Sequence, residues 1–270
     1  MLMPPMSPPV TPSPAATLAL LRDRPDGEVE TLLIQRHGRS KFAAGDHVFP
    51  GGKIEADDVP PDAEAFCRGL SVEMAAGRLG GDLSWRDSLG YWVGAIREAF
   101  EEVGLLLAYG PGGDLVRIAP ADEARYAGYR DACQRSNAAF FDMLRAESLT
   151  LATDGLAYFA HWITPEENPI RFDTRFFAAV APSGQAAVAD GTEIVGVRWL
   201  TPEEALGALG RKEITLRTPT IKNLQLLAGP GSAAERVARL GQRVVKTIRP
   251  RVLTVDGKPV PVLPGDPRWY

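Results

Sequence analysis

The sequence predicts an α+β (α/β) fold, and three observations carry that reading. Two apolar runs flank a turn-rich segment near the N-terminus, one strongly amphipathic pattern lies mid-chain, and three strand-like runs return before a last group of helical patterns. The 270 residues show no internal repeat and no composition break. They are read as a lead-in over residues 1–14 followed by one domain over 15–270.

The lead-in, MLMPPMSPPVTPSP, holds six prolines and lacks both the basic and the apolar region of a signal peptide, so a flexible or polyproline segment is expected. AATLALLRD and EVETLLIQR around Asp26-Gly27 predict a β-hairpin. GDHVFPGG is a short apolar segment closed by a Pro50-Gly51-Gly52 turn. Residues 57–90, with DAEAFCRGLSVEMAAGRL, carry apolar residues at helical spacing without strand alternation. From Ser88 to Val103 the pattern is more regular: Ile96, Ala99, Phe100 and Val103 make one stripe, and Gly104 stands where a C-terminal cap belongs. LLLAYG reads as a buried strand and residues 120–148 as one or two helices. LAYFAHWIT, RFDTRFFAAVA and EIVGVRWLT read as strands, followed by a helix with Thr201 as N-cap and Pro202 as its first residue. Residues 230–270 open with a helix, AAERVARLGQRVV, and end in KPVPVLPGDPRWY, too rich in proline for a central strand.

Composition narrows the function classes. Hydrophobic residues make up 45% of the chain, enough for a substantial core. With 34 acidic and 30 basic side chains the net charge is −4, which argues against a nucleic-acid binder. No uncharged apolar run approaches the length of about 18 residues that a bilayer span needs, so no membrane partner is expected. Cys67 and Cys133 give neither a disulfide framework nor a zinc spacing, and a reducing compartment is expected. An anionic substrate would therefore need local positive charge or a metal.

The chemistry is concentrated in Arg97, Glu98, Glu101 and Glu102. The three glutamates are i, i+3 and i+4 on one helix and share a face, where like charges repel. They also lie toward the helix C-terminus, where the macrodipole prefers cations. Arg97 can reach Glu101 one turn on, but one guanidinium cannot neutralise three carboxylates. A hard divalent cation with oxygen ligands answers the imbalance, and magnesium suits a site that also holds phosphates. An isolated acidic helix face, by contrast, is most often simply solvated.

The surrounding residues resemble the Nudix hydrolases, whose signature runs G-x5-E-x7-R-E-U-x-E-E-x-G-U, with U a bulky aliphatic residue. Its two halves stand here as FPGGKIEADD and AIREAFEEVGLLL. Asp58 takes the place of the signature's first glutamate, and 38 residues separate it from Arg97 where the signature has seven, an excess of 31. A box interrupted in this way is similar to the inserted-box, peroxisomal-type coenzyme A diphosphatases. QR with a basic loop and HVFPGG over 35–52, HWITP and RFDTRFF over 161–177, and LPGD over 263–266 extend the likeness. The resemblance implies an α-β-α sandwich with a mixed central sheet and a helical insertion in the box. It implies Glu98, Glu101 and Glu102 as ligands to Mg²⁺ (or Mn²⁺), joined by a backbone carbonyl of Gly51 or Gly52, with Arg97 orienting the glutamates. Asp58 is one methylene shorter than the usual glutamate, so Glu55, Asp57 and Asp58 all stand as partners for Arg97.

Hydrolysis of a diphosphate needs a base, and the candidates are Glu98 and Glu101, with Glu193 before the last strand as a third. Arg36, Arg39 and Lys41 could steer an anionic substrate or be ordinary surface charge. In RFDTRFF, alternation sets Arg171, Asp173 and Arg175 in one row, which could bind phosphate or pair internally. His37, His47 and His161 are scattered and assigned to no metal, and Trp85, Trp92, Trp162 and Trp199 are read as core. The resemblance implies a small-molecule nucleoside diphosphate derivative as substrate, first coenzyme A or an acyl ester, cleaved to 3′,5′-ADP and (acyl-)4′-phosphopantetheine. The alternatives are NADH, ADP-ribose or a modified nucleoside triphosphate, or a Nudix-like module that senses a nucleotide without cleaving it. A homodimer is possible by analogy. The C-terminal Arg268-Trp269-Tyr270 is not a peroxisomal address, so a cytoplasmic location is expected.

Overall fold

The computed structural model of the protein describes residues 10–40, 43–81, 83–255 and 258–269. Strands β1 (Ser13–Asp23) and β2 (Val29–Arg36) form the expected hairpin, with Leu21 opposite Thr31 and Asp23 opposite Val29. Ser13 and Pro14, expected in the lead-in, already belong to the sheet. Proline has no donor to offer there, but the Pro14 carbonyl accepts from Ile54 N at 3.0 Å. Next come β3 (His47–Val48), antiparallel to β2, and β4 (Gly51–Lys53), antiparallel to β1, with Pro50 between them.

The stretch over 57–90 is not one helical insertion. It holds 3₁₀ turns at Ala56–Asp58 and Ala63–Phe66, then helix α1 (Val72–Leu79). Pro60-Pro61 withhold two backbone donors and Gly69 turns the chain with φ +66°, so helical periodicity cannot be realised as continuous helix. Residues 85–90 open helix α2 (Trp85–Val103), which starts three residues before Ser88 because the Ser84 hydroxyl accepts from Asp87 N at 3.0 Å. Gly104 ends α2 in the left-handed conformation. Leu70, Ala75 and Leu79 are buried in the core that α2 also fills, so the extra residues clad that helix.

The first four residues of LLLAYG, Leu105 to Ala108, are buried as expected, yet only β5 (Ala108–Tyr109) is strand. The Gln185 side chain stands in for a neighbouring strand at Leu106, accepting from its N–H at 2.8 Å and donating to its carbonyl at 3.0 Å. The 120–148 region resolves into α3 (Glu123–Arg135) and α4 (Ala138–Ala146), and β6 (Thr150–Leu151) then pairs with β5. The three returning strands are β7 (Ala157–Ile163), β8 (Phe172–Val180) and β9 (Ile194–Leu200). Helix α5 (Pro202–Gly210) starts on Thr201 and Pro202 as expected, with Glu204 completing a capping box. Helix α6 (Thr218–Leu227) has no counterpart in the sequence reading. After α7 (Ala233–Gly241), β10 (Thr247–Ile248) joins the sheet, and β11 (Arg251–Val255) with β12 (Lys258–Val262) makes a separate ribbon in which Pro259 and Pro261 are tolerated.

The main sheet runs β10-β7-β8-β1-β2-β3, with β4 on β1 and β9 on β2. It is mixed: β1 with β8 and β7 with β10 are parallel, the rest antiparallel. β1 is apolar on both faces. Leu18 and Leu20 pack into the layer containing α2 and α4, while Ala19 and Leu21 pack into the layer containing α5, α6 and α7. Helices cover both faces, which is the expected α-β-α sandwich. Among the described residues no helix is long and apolar enough to cross a membrane.

Candidate active site

Arg97 is buried at the centre of the acidic cluster, and all five of its N–H donors are engaged. Nε donates to Asp58 Oδ1 at 2.6 Å and Nη2 to Asp58 Oδ2 at 3.1 Å. Nη2 also reaches the Lys53 carbonyl at 2.8 Å, while Nη1 divides between Glu98 Oε1 at 2.9 Å and Glu101 Oε2 at 3.0 Å. Asp58 is therefore the partner left open among Glu55, Asp57 and Asp58. Its shorter side chain suffices because the 3₁₀ turn carries it inward, where Oδ2 also accepts from Glu55 N at 2.9 Å.

The three glutamates are not a solvated face. Glu102 is buried, and its Oε2 accepts from Gly51 N at 2.8 Å. A Cβ on Gly52 would lie 2.5 Å from Glu98 Oε1, so only glycine lets the β4 backbone approach this close. Burial pushes Glu101 up to about 7, with Arg97 opposing and Glu98 adding to the shift. Glu98 and Glu102 are also raised, chiefly by burial, and each is opposed in part by its nearest cation, Arg97 or Arg36. The carbonyl end of α2 is relieved from α3: Arg130 donates to the Glu101 and Glu102 carbonyls at 2.8 and 2.7 Å.

Among the described residues no three acidic, histidine or cysteine side chains are gathered into a ready metal ligand set. One oxygen each of Glu98 and Glu101 is taken by Arg97, and one of Glu102 by Gly51. The remaining donors nevertheless fit a hard cation. Among the described residues Glu101 Oε1 is buried with no hydrogen-bond partner, and the carboxylates beside it are held above their ordinary values by burial and mutual repulsion. A divalent ion would relieve both costs.

Arg97, Glu98, Glu101 and Glu102 line a cavity of about 970 Å³. Arg36 belongs to it, 3.7 Å from Glu102 and 3.9 Å from Glu193. Exposed Glu193 lies on its rim, on a loop organised by Asp190, whose Oδ1 accepts from the backbone N–H groups of Glu193 and Ile194 at 2.8 and 3.2 Å. The Asp190-Gly191-Thr192 run is a turn signature that could have marked this loop in the sequence.

Several expected site residues lie elsewhere. Arg39 is exposed and does not line the cavity, because the chain turns outward after His37. Lys41 lies outside the described residues. Arg171, Asp173 and Arg175 do share one side of β8, but the cavity lies on the other, lined by Phe172, Thr174 and Phe176. Arg171 donates to the carbonyls of Val10 at 2.6 Å and Thr164 at 3.1 Å, and Arg175 pairs with Asp173 at 2.9 Å. Alternation sorts residues between two faces of a strand without saying which face meets a ligand. Trp92 is core as expected, whereas buried Trp162 also lines the cavity, as do Gln134, Asn137 and Arg217, which the sequence reading did not select.

A family model for the NUDT19 Nudix domain matches residues 11–227. The acyl-coenzyme A diphosphatase NUDT19 of Xenopus laevis is 28% identical over 227 residues, a match covering 74% of this chain and 60% of that protein. The Homo sapiens protein of the same name is 27% identical over 277 residues, covering 87% and 71%. Among solved structures, a Nudix hydrolase from Alicyclobacillus acidocaldarius superposes with a TM-score of 0.66 at 25% identity, covering 84% of this chain and 96% of that one.

Proposed function

The chain belongs to the NUDT19 Nudix domain family, and from that premise we propose that it is a divalent-metal-dependent diphosphatase acting on coenzyme A or its acyl esters. The products would be 3′,5′-ADP and the (acyl-)4′-phosphopantetheine. The observation that supports a catalytic rather than a sensing module is the complete Arg97 network, in which Asp58, Glu98 and Glu101 are oriented by one buried guanidinium beside the unpartnered Glu101 Oε1. The frog and human relatives, named for acyl-coenzyme A diphosphatase activity, support the substrate.

Glu98, Glu101, Glu102 and the Gly52 carbonyl would hold Mg²⁺ or Mn²⁺. Such an ion spreads the charge of the phosphoryl oxygens and lowers the pKa of a bound water. Arg97 keeps the glutamates in place, and a lysine there could not reproduce its planar, five-donor geometry. Arg36, which pairs with Glu102 and Glu193, would bind a phosphoryl oxygen. Of the three candidate bases, Glu98 and Glu101 each give an oxygen to Arg97, whereas the Glu193 side chain makes a looser, 3.9 Å ion pair with Arg36. We assign proton removal from the attacking water to Glu193. Attack at phosphorus then breaks the bridging P–O bond, and the second phosphate leaves with the electron pair.

A mass-resolved screen of the purified protein with Mg²⁺ against coenzyme A, acetyl-coenzyme A, NADH, ADP-ribose and 8-oxo-dGTP tests the reading. Cleavage of the first two to 3′,5′-ADP is the expected outcome. Turnover of ADP-ribose with coenzyme A untouched would overturn it.

A further inference from the structure

The last turn of α2 carries Glu101 and Glu102, while Glu98 lies one turn inside the helix. A helix leaves its final four carbonyls without intrahelical donors, and such ends fray. In α2 each of the four has a partner. Gly104 N donates to the Phe100 carbonyl at 2.9 Å, and Val188 N, from the segment between β8 and β9, donates to the Val103 carbonyl at 2.9 Å. The two carbonyls between these belong to the glutamates themselves and are served from α3. Arg130 Nε donates to the Glu101 carbonyl at 2.8 Å, and Nη2 to the Glu102 carbonyl at 2.7 Å. Gln134, one turn along the same face of α3, adds a second bond to the Glu101 carbonyl at 3.1 Å.

These bonds from α3 end on main-chain oxygens, not on carboxylates. They fix the backbone from which the Glu101 and Glu102 side chains depart, and an unwound last turn would carry both away from Glu98. Burial lowers the Arg130 guanidinium from its ordinary value, opposed by Asp190, Asp131 and Glu102. Asp190 organises the loop that carries Glu193, so one side chain is in electrostatic contact with that loop and with the acidic face of α2. The charge and the hydrogen bonds of Arg130 have opposite consequences for a cation held by the glutamates. A nearby guanidinium repels the ion, so charge alone would weaken its binding. Bonds that hold the glutamates in register would strengthen it.

We propose that Arg130, assisted by Gln134, is a positioning residue for the metal site: by holding the Glu101 and Glu102 carbonyls it keeps the last turn of α2 in the geometry that lets three glutamates share one ion. The role of the glutamates as ligands rests on the function proposed above, while the clamp stands on its hydrogen bonds. Loss of a group that orients metal ligands costs about 10- to 100-fold in metal affinity. Lysine at 130 would keep the charge but has no planar fork to serve two adjacent carbonyls.

The test is a titration of the full chain with Mn²⁺ in the absence of substrate, free ion being read by electron paramagnetic resonance, beside turnover of coenzyme A. Arg130→Met should raise the Mn²⁺ Kd at least tenfold in protein that circular dichroism shows to be folded. Arg130→Lys should fall between that variant and the wild type, and Gln134→Ala should raise the Kd at least twofold. A Kd for folded Arg130→Met within twofold of wild type would overturn the clamp, and a tighter one would leave Arg130 acting by charge alone. Arg130→Gln replaces Arg130→Met if the latter does not fold; if neither folds, an unchanged Kd in Gln134→Ala overturns the proposal. A wild type that binds no Mn²⁺ would sink the metal site and the clamp together. If the wild type binds Mn²⁺ in an Arg130-dependent way but cleaves no coenzyme A species, the substrate reading fails and the clamp stands.

Discussion

Arg97 and Glu101 sit four residues apart on one helix, yet they face opposite electrostatic problems. The guanidinium is buried and fully engaged; the carboxylate is half-buried, with one oxygen bonded and the other, among the described residues, without a hydrogen-bond partner. Removing charge from Glu101 should therefore help the local electrostatics while removing an ion ligand. Glu101→Gln should keep the circular dichroism spectrum and thermal midpoint of the wild type, weaken Mg²⁺ activation by at least tenfold and lower kcat by about 10²-fold or more. Glu193→Gln should behave differently, losing about 10²-fold in kcat while the Mg²⁺ concentration for half-activation moves by less than about twofold. Near-normal turnover in Glu101→Gln would sink the ligand assignment, and a large shift in Mg²⁺ dependence in Glu193→Gln would move that residue from base to ligand. The pairing of Glu98, Glu101 and Glu102 was readable from spacing alone. The choice of Asp58 over Glu55 and Asp57 was not, because it depends on a 3₁₀ turn that buries one acid of three.

At the scale of elements, β8 shows how a correct periodicity can be joined to the wrong face. Arg171, Asp173 and Arg175 alternate as expected, but Asp173 and Arg175 tie β8 to β7 and α2, and Arg171 bonds the Val10 and Thr164 carbonyls, instead of lining the cavity. Burial pushes the Asp173 carboxyl up, and the bonds from His161 and Arg175 outweigh it, leaving the group below its ordinary value. Stability from a depressed carboxyl is fully present above the unfolded value of about 4 and is lost as the pH falls through the folded one. Asp173→Asn should consequently lower the thermal midpoint at pH 7, with the gap to wild type narrowing by pH 3. Parallel melting curves across that range would show that the carboxylate charge contributes nothing. Helix α2 was legible because its stripe and Gly104 are local, whereas its start was misplaced by three residues, since Ser84 and Asp87 were not read as a cap. LLLAYG was misread as strand because burial and a strand partner are separable, and Gln185 supplies the hydrogen bonds from a loop 79 residues away.

For the whole molecule, the net charge of −4 matters less than where the acids lie. Glu98, Glu101 and Glu102 are held together by folding, so a cation that binds them adds its binding energy to the stability of the fold. At a free concentration 100 times its dissociation constant, such an ion stabilises by about 2.7 kcal/mol. Melting in 10 mM MgCl₂ should thus occur several degrees above melting in EDTA, and Glu98→Ala should abolish most of the difference. A midpoint indifferent to Mg²⁺ would argue against a site in the native fold. The two halves of the box, the acidic helix face and the alternation of strands were available from residue spacing, because each is a property of near neighbours along the chain. Which acid Arg97 pairs with and which face of β8 meets the cavity are settled by folding. Those features depend on groups brought together from distant parts of the chain, and the packing of helices and strands, not local periodicity, sets their distances.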